Sequence, residues 1–104
     1  MHVHAAFFWL NEDVSNVERK IFEKELGKLT LDPEILQRRI GKAACTNRDV
    51  IDSSYDFGIS LCFKDLSSHD KYQAGDAHQE FLKNCRNLWM RVKVYDMNEI
   101  FTPE

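Results

Sequence analysis

Two side chains that can exchange protons, Tyr72 and His78, stand six residues apart on either side of a glycine. Gly75 favours the left-handed conformation that ends a helix, and Asp76 is a good N-cap for the next one. His78 is then expected in the first turn of the second helix, where the helix dipole disfavours imidazolium and leaves a neutral base. The same spacing is also typical of a purely structural joint between two helices, so spacing alone leaves both interpretations open.

The composition predicts one folded domain over residues 1–104. Hydrophobic residues make up 43% of the chain and charged residues 30%, as in a soluble globular protein. The 14 basic residues are dispersed among 17 acidic ones and the net charge is −3, so we expect no nucleic-acid partner. No apolar run could span a bilayer and the N-terminus does not resemble a signal peptide, which predicts no membrane association and a cytoplasmic location.

The motifs of common cofactor and metal sites are missing from the sequence. There is no glycine-rich phosphate-binding loop and no Cys/His cluster with metal-ligand spacing, so we predict no cofactor and no metal. The three cysteines form no C-x-x-C pair and are predicted to be reduced thiols. His69 is expected in the first turn of a helix with Ser67 as its N-cap, and we interpret it as an exposed residue without a functional role.

Hydrophobic periodicity predicts four strands. The third strand is the clearest, because apolar residues alternate with polar or small ones over residues 55–64. The first strand, residues 2–10, is apolar on both faces and must therefore be covered on both sides. The other two strands are predicted at residues 34–44, where a polar run suits a sheet edge, and at residues 88–96.

Two helices connect these strands. A capping box formed by Ser15 and Glu18 begins the first helix, which runs to about Lys28. Its predicted apolar stripe comprises Val17, Ile21, Phe22, Leu26 and Leu29. The second helix, broken at Gly75, ends near residue 84, and we expect residues 97–104 to be loosely held or to cover a partner.

The order β-α-β-β-α-β predicts an α+β, ferredoxin-like fold, with a four-stranded antiparallel sheet and helices on one face. The odd residues of the third strand and the even residues of the fourth are expected to face the helices. The opposite face carries Val3, Phe7, Trp9, Ser60, Cys62, Arg91, Lys93 and Tyr95. This face is too apolar to remain in water, and a second copy of the sheet would cover it, which predicts a homodimer.

A cavity between the sheet and the helices is the predicted ligand site. The small Ala6 lies between the larger His4 and Phe8 on the helix-facing side of the first strand, which leaves room for a small apolar or aromatic ligand. Further lining residues are expected to be Ile21, Phe22, Ile59 and Leu61, with Tyr72, His78 and His4 as the polar groups that orient the ligand. The alternative is that phenylalanine side chains fill this space.

Several motifs recur in the order of a known family. They are His4 in the first strand, Gly41-Lys42 closing the second, Tyr55 opening the third, Tyr72 in the second helix, and the run from Gly75 to Phe81. Over roughly residues 2–97 the chain resembles the stress-responsive A/B barrel (Dabb) family of dimeric α+β barrels, which includes a plant polyketide cyclase. The resemblance implies that Tyr72 and His78 are a catalytic pair, that Asp96 holds the His78 tautomer, and that Phe57 stands where the cyclase has a pocket histidine.

Three functions remain open at this point. The first is a homodimer of unassigned function that binds a small apolar or aromatic ligand. The second is a cofactor-independent, polyketide-cyclase-like enzyme, in which neutral His78 removes a proton and Tyr72 donates a hydrogen bond to the oxygen that gains charge. The third is a structural or interaction dimer without catalysis. Whether the protein is an enzyme, and which ligand it binds, is not indicated by any motif.

Overall fold

The computed structural model describes residues 1–101, which form a four-stranded antiparallel sheet with three α-helices on one face. The strands are β1 (His2–Leu10), β2 (Ile35–Lys42), β3 (Phe57–Phe63) and β4 (Trp89–Asn98). The helices are α1 (Asn16–Leu29), α2 (Leu66–Ala74) and α3 (Asp76–Cys85), and a 3-10 turn (Arg86–Leu88) leads into β4. The strand order in the sheet is β2-β3-β1-β4, so the predicted fold class and the edge position of β2 are confirmed. None of the described helices is long and apolar enough to cross a membrane.

The central strand β1 pairs with β3 on one side and with β4 on the other. Its register places Ala6 opposite Ile59 and opposite Val94, so these three side chains share the helix-facing side of the sheet. A β-bulge lies where Trp9 and Leu10 pair with β4, and it changes which β4 residues face the helices. Trp89 is consequently buried opposite Leu10, whereas Met90, predicted to face the helices, is 60% exposed.

An aromatic cluster forms the core between β1, the helices and the start of β4. The ring of Phe8 lies 5.3 Å from Phe22, 5.9 Å from Phe81 and 5.3 Å from Trp89, measured between centroids. These are edge-to-face contacts, the arrangement that the quadrupoles of aromatic rings favour. The core is therefore filled at this end of the sheet.

The apolar stripe predicted for α1 is only partly correct. The buried residues of this helix are Phe22, Glu25, Leu26 and Leu29. Val17 and Ile21 are 69% and 45% exposed, because the helix turns those positions away from the sheet. The predicted start is confirmed, since Ser15 and Glu18 form the expected capping box.

The second helical region begins and breaks differently from the prediction. Asp65, not Ser67, is the N-cap of α2 and accepts a hydrogen bond from the Ser68 N–H. Gly75 is not left-handed; its φ of −77° and ψ of 164° are extended, and it is itself the N-cap of α3, of which Asp76 is the first residue. A Cβ at Gly75 would lie 3.1 Å from the Lys71 carbonyl oxygen, so the tight joint explains why a glycine stands here.

The sheet face opposite the helices is open. Its β1 side chains are half-buried and Tyr95 on β4 is 57% exposed. The tail begins later than predicted, because β4 continues to Asn98, and residues 102–104 of the expected tail lie outside the described residues.

Candidate functional site

A cavity of about 180 Å³ lies between the helix-facing side of the sheet and helices α2 and α3. Its wall is mostly apolar and includes a few polar groups. The lining residues are His4, Ala6, Phe8, Leu29, Ile59, Tyr72, Gln73, His78, Phe81, Leu82, Trp89, Val92 and Val94. Helices α2 and α3 do not cover β4 completely, and the cavity opens beside the part-exposed Val92 and Val94.

The structure brings most of the residues named from the sequence to this cavity. His4, Ala6, Phe8, Ile59, Tyr72 and His78 line it. Phe22, Phe57 and Leu61 are fully or nearly fully buried but lie in the neighbouring core instead. Ile21 does not reach the cavity at all, because it is on the solvent side of α1.

Several lining residues escaped the sequence reasoning. Phe81 and Leu82 follow His78 by three and four residues, so helical spacing could have indicated that they share its face. Trp89 could not have been placed in the wall, because the bulge in β4 reverses the alternation from which strand faces are inferred.

Tyr72 and His78 are adjacent in the cavity wall, as the glycine break suggested. Their ring centroids are 5.3 Å apart at an interplanar angle of 82°. Tyr72 is almost completely buried, and this burial, with a smaller effect of the Asp32 charge, raises the pKa of its hydroxyl. The Tyr72 hydroxyl is therefore a neutral hydrogen-bond donor near pH 7.

His78 is held as a neutral imidazole. Burial lowers its pKa, and the positive charges that His4 and His69 can carry lower it further. Its Nδ1 atom is buried and has no hydrogen-bond partner among residues 1–101. Its position is set by α3, where it is the third helical residue after the Gly75 N-cap.

Asp96 does not hold His78, contrary to the expectation. The antiparallel register of β1 and β4 places Asp96 directly opposite His4, and Asp96 Oδ1 accepts a hydrogen bond from His4 Nδ1 at 2.6 Å. Burial lowers the pKa of His4, an effect that the hydrogen bond and the charge of Asp96 only partly oppose. His4 is therefore the ring that Asp96 orients in the cavity wall.

A second polar group, which we term the histidine cluster, adjoins the cavity and comprises His2, His4, His69 and Asp96. His69 is only 6% exposed, so its interpretation as an exposed residue is wrong. His69 lies on the buried face of α2, which packs against the sheet, and its Nε2 lies 3.2 Å from His4 Nδ1. The alternation of His2 and His4 along β1 was the available signal, since it places both on one face.

The fold and the cavity define a ferredoxin-like α+β protein with a pocket between its sheet and its second and third helices. The model of the stress responsive A/B barrel domain matches residues 3–99, and the chain belongs to that family. None of the curated protein sequences is a significant match.

Solved structures confirm the fold. The Arabidopsis thaliana protein At3g17210 superposes with a TM-score of 0.79 at 18% identity, over 100% of both chains. A Mesorhizobium loti Dabb family protein with a ferredoxin-like fold has a TM-score of 0.76 at 19% identity, over 96% of this chain and 97% of that one. A dimeric ferredoxin-like protein of unknown function from Thermobifida fusca has a TM-score of 0.75 at 18% identity, covering 92% and 88%.

Proposed function

We propose that this protein is a homodimer that binds a small, neutral aromatic molecule in the cavity between its sheet and helices α2 and α3. The observation that carries the proposal is the buried, unpartnered Nδ1 of His78, a residue that lines a mostly apolar cavity. A buried polar atom without a hydrogen bond costs about 1–3 kcal/mol, so a ligand that supplies the missing partner has a specific advantage.

The size and the charge of the cavity favour a single-ring ligand. Cavities of about 150 Å³ lined by apolar side chains bind benzene, and this cavity is about 180 Å³. Phe8, Phe81 and Trp89 offer aromatic surfaces, while His78 and Tyr72 offer hydrogen bonds. Because burial keeps both groups neutral, a phenol fits better than a carboxylate of similar size.

The open face of the sheet supports the dimer. Phe7 contacts Tyr55 and Tyr95 there, with ring centroids 4.9 Å and 6.3 Å away, and no helix of the described chain covers this aromatic group. The Thermobifida fusca protein of the same fold is described as dimeric. A cytoplasmic location also belongs to the proposal and is supported by the three free cysteines.

Ligand binding is tested by titrating the purified protein with phenol and with benzoate, followed by two-dimensional NMR of the backbone amides. We expect saturable shifts around the cavity with phenol and weaker binding of benzoate. His78→Gln should weaken phenol binding by at least about 10-fold, the loss of about 1.4 kcal/mol expected for one hydrogen bond. Gln79→Ala, an exposed neighbour on α3, is the control and should bind phenol normally.

Absence of saturable phenol binding, or equal affinity in the His78→Gln variant, would contradict the proposal. In that case the enzyme and the structural or interaction dimer are the remaining interpretations.

A second candidate is a cofactor-independent enzyme, favoured by the adjacency of a neutral His78 and a protonated Tyr72. In the first step His78 would take a proton from a carbon next to a carbonyl group, while Tyr72 donates a hydrogen bond to the enolate oxygen that forms. The enolate carbon could then attack a second carbonyl of the same molecule and close a ring, the chemistry that the family resemblance suggests.

Hydrogen–deuterium exchange at the α-carbon of phenylacetone in D₂O tests this first step without knowledge of the true substrate. An enzyme should accelerate the exchange, and His78→Gln should abolish the acceleration while Gln79→Ala keeps it. An exchange rate equal to that of buffer would remove the enzymatic candidate and leave ligand binding.

A further inference from the structure

The histidine cluster places three imidazole rings and a carboxylate side by side, and the proposed ligand-binding site does not require this arrangement. We propose that His2, His4, His69 and Asp96 bind a divalent transition-metal ion, and that Zn²⁺ is the ion they match best. The side chains come from three elements, since His2 and His4 lie on β1, His69 on α2 and Asp96 on β4. Three imidazole nitrogens and one carboxylate oxygen are all donor types that zinc accepts.

Two of the distances between the donor atoms already match tetrahedral coordination, and two would have to adjust. With metal–ligand bonds of about 2.0–2.1 Å, the donor atoms of a regular tetrahedron lie about 3.3–3.4 Å apart. His2 Nε2 lies 3.3 Å from Asp96 Oδ1, and His69 Nε2 lies 3.2 Å from His4 Nδ1 and 3.9 Å from Asp96 Oδ1. His4 Nδ1 and Asp96 Oδ1, which share a proton at 2.6 Å, would have to separate by about 0.7 Å when the ion replaces that proton. One donor atom from each residue lies within 4.8 Å of all the others, so only small side-chain rotations separate this arrangement from a coordinating one.

His2 supplies an independent indication of a ligand. Its side chain is almost completely buried, yet neither ring nitrogen has a hydrogen-bond partner among residues 1–101. Nε2 is close to the Asp96 carboxylate, but the geometry does not make a hydrogen bond. An imidazole buried in this way is unfavourable unless something binds it, and a metal ion at Nε2 would supply the missing interaction.

The close contact between the His4 and His69 rings has no proton of its own, although His69 has other partners, since its Nδ1 lies 3.3 Å from Asp70 Oδ1 and its Nε2 lies near the Gln73 amide. His4 Nδ1 carries at most one proton and directs it to Asp96, so this proton cannot also serve His69 Nε2, 3.2 Å away. A cation between the rings would use the lone pairs of both nitrogens and the carboxylate together. The Gln73 amide lies 3.2 Å from His69 Nε2 and would have to turn aside when the ion binds.

The location gives the ion a route of entry and a possible influence on the cavity. The Asp96 side chain is part-exposed at the outer strand β4, whereas the three histidines are buried. His4 belongs both to the cluster and to the cavity wall, so a bound ion would fix its ring and place a positive charge next to the ligand.

The test is calorimetric titration of the untagged, EDTA-treated protein with ZnCl₂, together with the visible spectrum of the Co²⁺ complex. We expect one Zn²⁺ per chain, a rise in melting temperature, and Co²⁺ absorption typical of tetrahedral coordination. His69→Gln and Asp96→Asn should each weaken Zn²⁺ binding by more than about 10-fold and abolish the Co²⁺ spectrum. Circular dichroism checks that each variant is folded. Two variants are tested so that a folding defect in one of them does not decide the result.

The matched control is His78→Gln, which removes a histidine outside the cluster and should bind Zn²⁺ as the unchanged protein does. His78→Gln should therefore weaken phenol binding without affecting Zn²⁺ binding, whereas His69→Gln and Asp96→Asn should weaken Zn²⁺ binding. Failure of the metal proposal can thus be told apart from failure of the proposed ligand binding. No stoichiometric Zn²⁺ binding would overturn the proposal. So would binding that His2→Gln weakens but His69→Gln leaves intact, because that result would indicate chelation by the chain terminus alone.

Discussion

The ligand and metal binding proposed for this protein depends on histidines that lie in different environments. His78 is a half-buried ring whose buried Nδ1 has no hydrogen-bond partner among residues 1–101, whereas His4 is oriented by Asp96. His2 is buried beside His4 without a hydrogen-bond partner among residues 1–101, whereas the ring nitrogens of the buried His69 contact His4, Gln73 and Asp70. Spacing along the chain pointed to His78, but only the contacts between distant elements distinguish the roles of the four rings.

A substitution at Ala6 tests whether the cavity is open volume or a slightly underpacked part of the core. Its side chain lines the cavity between Ile59 and Val94, so the extra atoms of Ala6→Leu should enter the open volume. We expect this variant to lose less than about 1 kcal/mol of unfolding free energy while phenol binding disappears. Urea denaturation and the NMR titration measure the two quantities. A loss of about 1–3 kcal/mol would instead show that the site is tightly packed.

His78 should make stability depend on pH. Burial, and secondarily the charges of His4 on β1 and His69 on α2, lower its folded-state pKa, while the unfolded value is about 6.5. The unfolded state then binds more protons, so the unfolding free energy contributed by His78 is present above about pH 6.5 and is lost as the pH falls through the folded-state pKa.

The expected outcome is a shallower dependence in His78→Gln. Urea midpoints measured in EDTA at pH 7.5 and 5.5 should fall less on acidification in this variant than in the unchanged protein. His4 contributes a slope of the same sign in both proteins, so the difference between them isolates His78. If the urea midpoints of the two proteins fell equally on acidification, burial would not lower the pKa of His78.

At the scale of elements, the joint between α2 and α3 positions Tyr72 against His78. Gly75 has an ordinary extended backbone, but a Cβ there would meet the Lys71 and Tyr72 carbonyl oxygens at 3.1 Å and 3.4 Å. Because backbone atoms cannot move aside easily, we expect Gly75→Ala to destabilise the protein by about 1 kcal/mol or more and to weaken phenol binding.

Gly27 in α1 provides the matched control. Apart from its chain neighbours and the nearby backbone of the same helix, no atom lies within 4 Å of a Cβ added there, and the residue lies inside a helix. Gly27→Ala should therefore stabilise the protein by about 0.5–1 kcal/mol, since alanine loses less backbone entropy in a helix than glycine. Thermal and urea denaturation of the two variants should shift in opposite directions; a shift in the same direction would contradict the role assigned to the joint.

At the scale of the whole molecule, the sheet separates the proposed binding sites from the proposed dimer surface. The helices, the cavity and the histidine cluster share one face, whereas Phe7, Tyr55 and Tyr95 form an aromatic group on the other. We expect the open face to bury more than about 1,200 Å² in total in a homodimer. Sedimentation at micromolar concentration should show a dimer. A monomer at that concentration would contradict the proposed homodimer.

Tyr95→Lys tests the same surface by mutation. Tyr95 is exposed in the single chain, so the change should spare the fold, but it adds a second positive charge beside Lys93 on the face that the proposed dimer buries. We expect sedimentation of a monomer with an unchanged circular dichroism spectrum. Val17→Lys, at an exposed position on the outer side of α1, should remain a dimer.

Local patterns in the sequence determined the architecture. Alternation in β3, the capping box at Ser15 and the glycine break at Gly75 predicted the elements and their order, because each is a short-range preference of the backbone. The same reasoning placed Tyr72 and His78 together, since two helices joined at one residue leave few possible arrangements. The likeness in motifs to the family was confirmed over residues 3–99.

Tertiary structure decided the partners of these residues. A bulge opposite Trp9 and Leu10 brought Trp89 into the core, and the packing of α2 against the sheet buried His69. The strand register paired Asp96 with His4 instead of His78. Each outcome depends on the packing of segments far apart in the chain, where a shift of one residue reverses the side that a side chain faces; periodicity within a single segment carries no information about that shift.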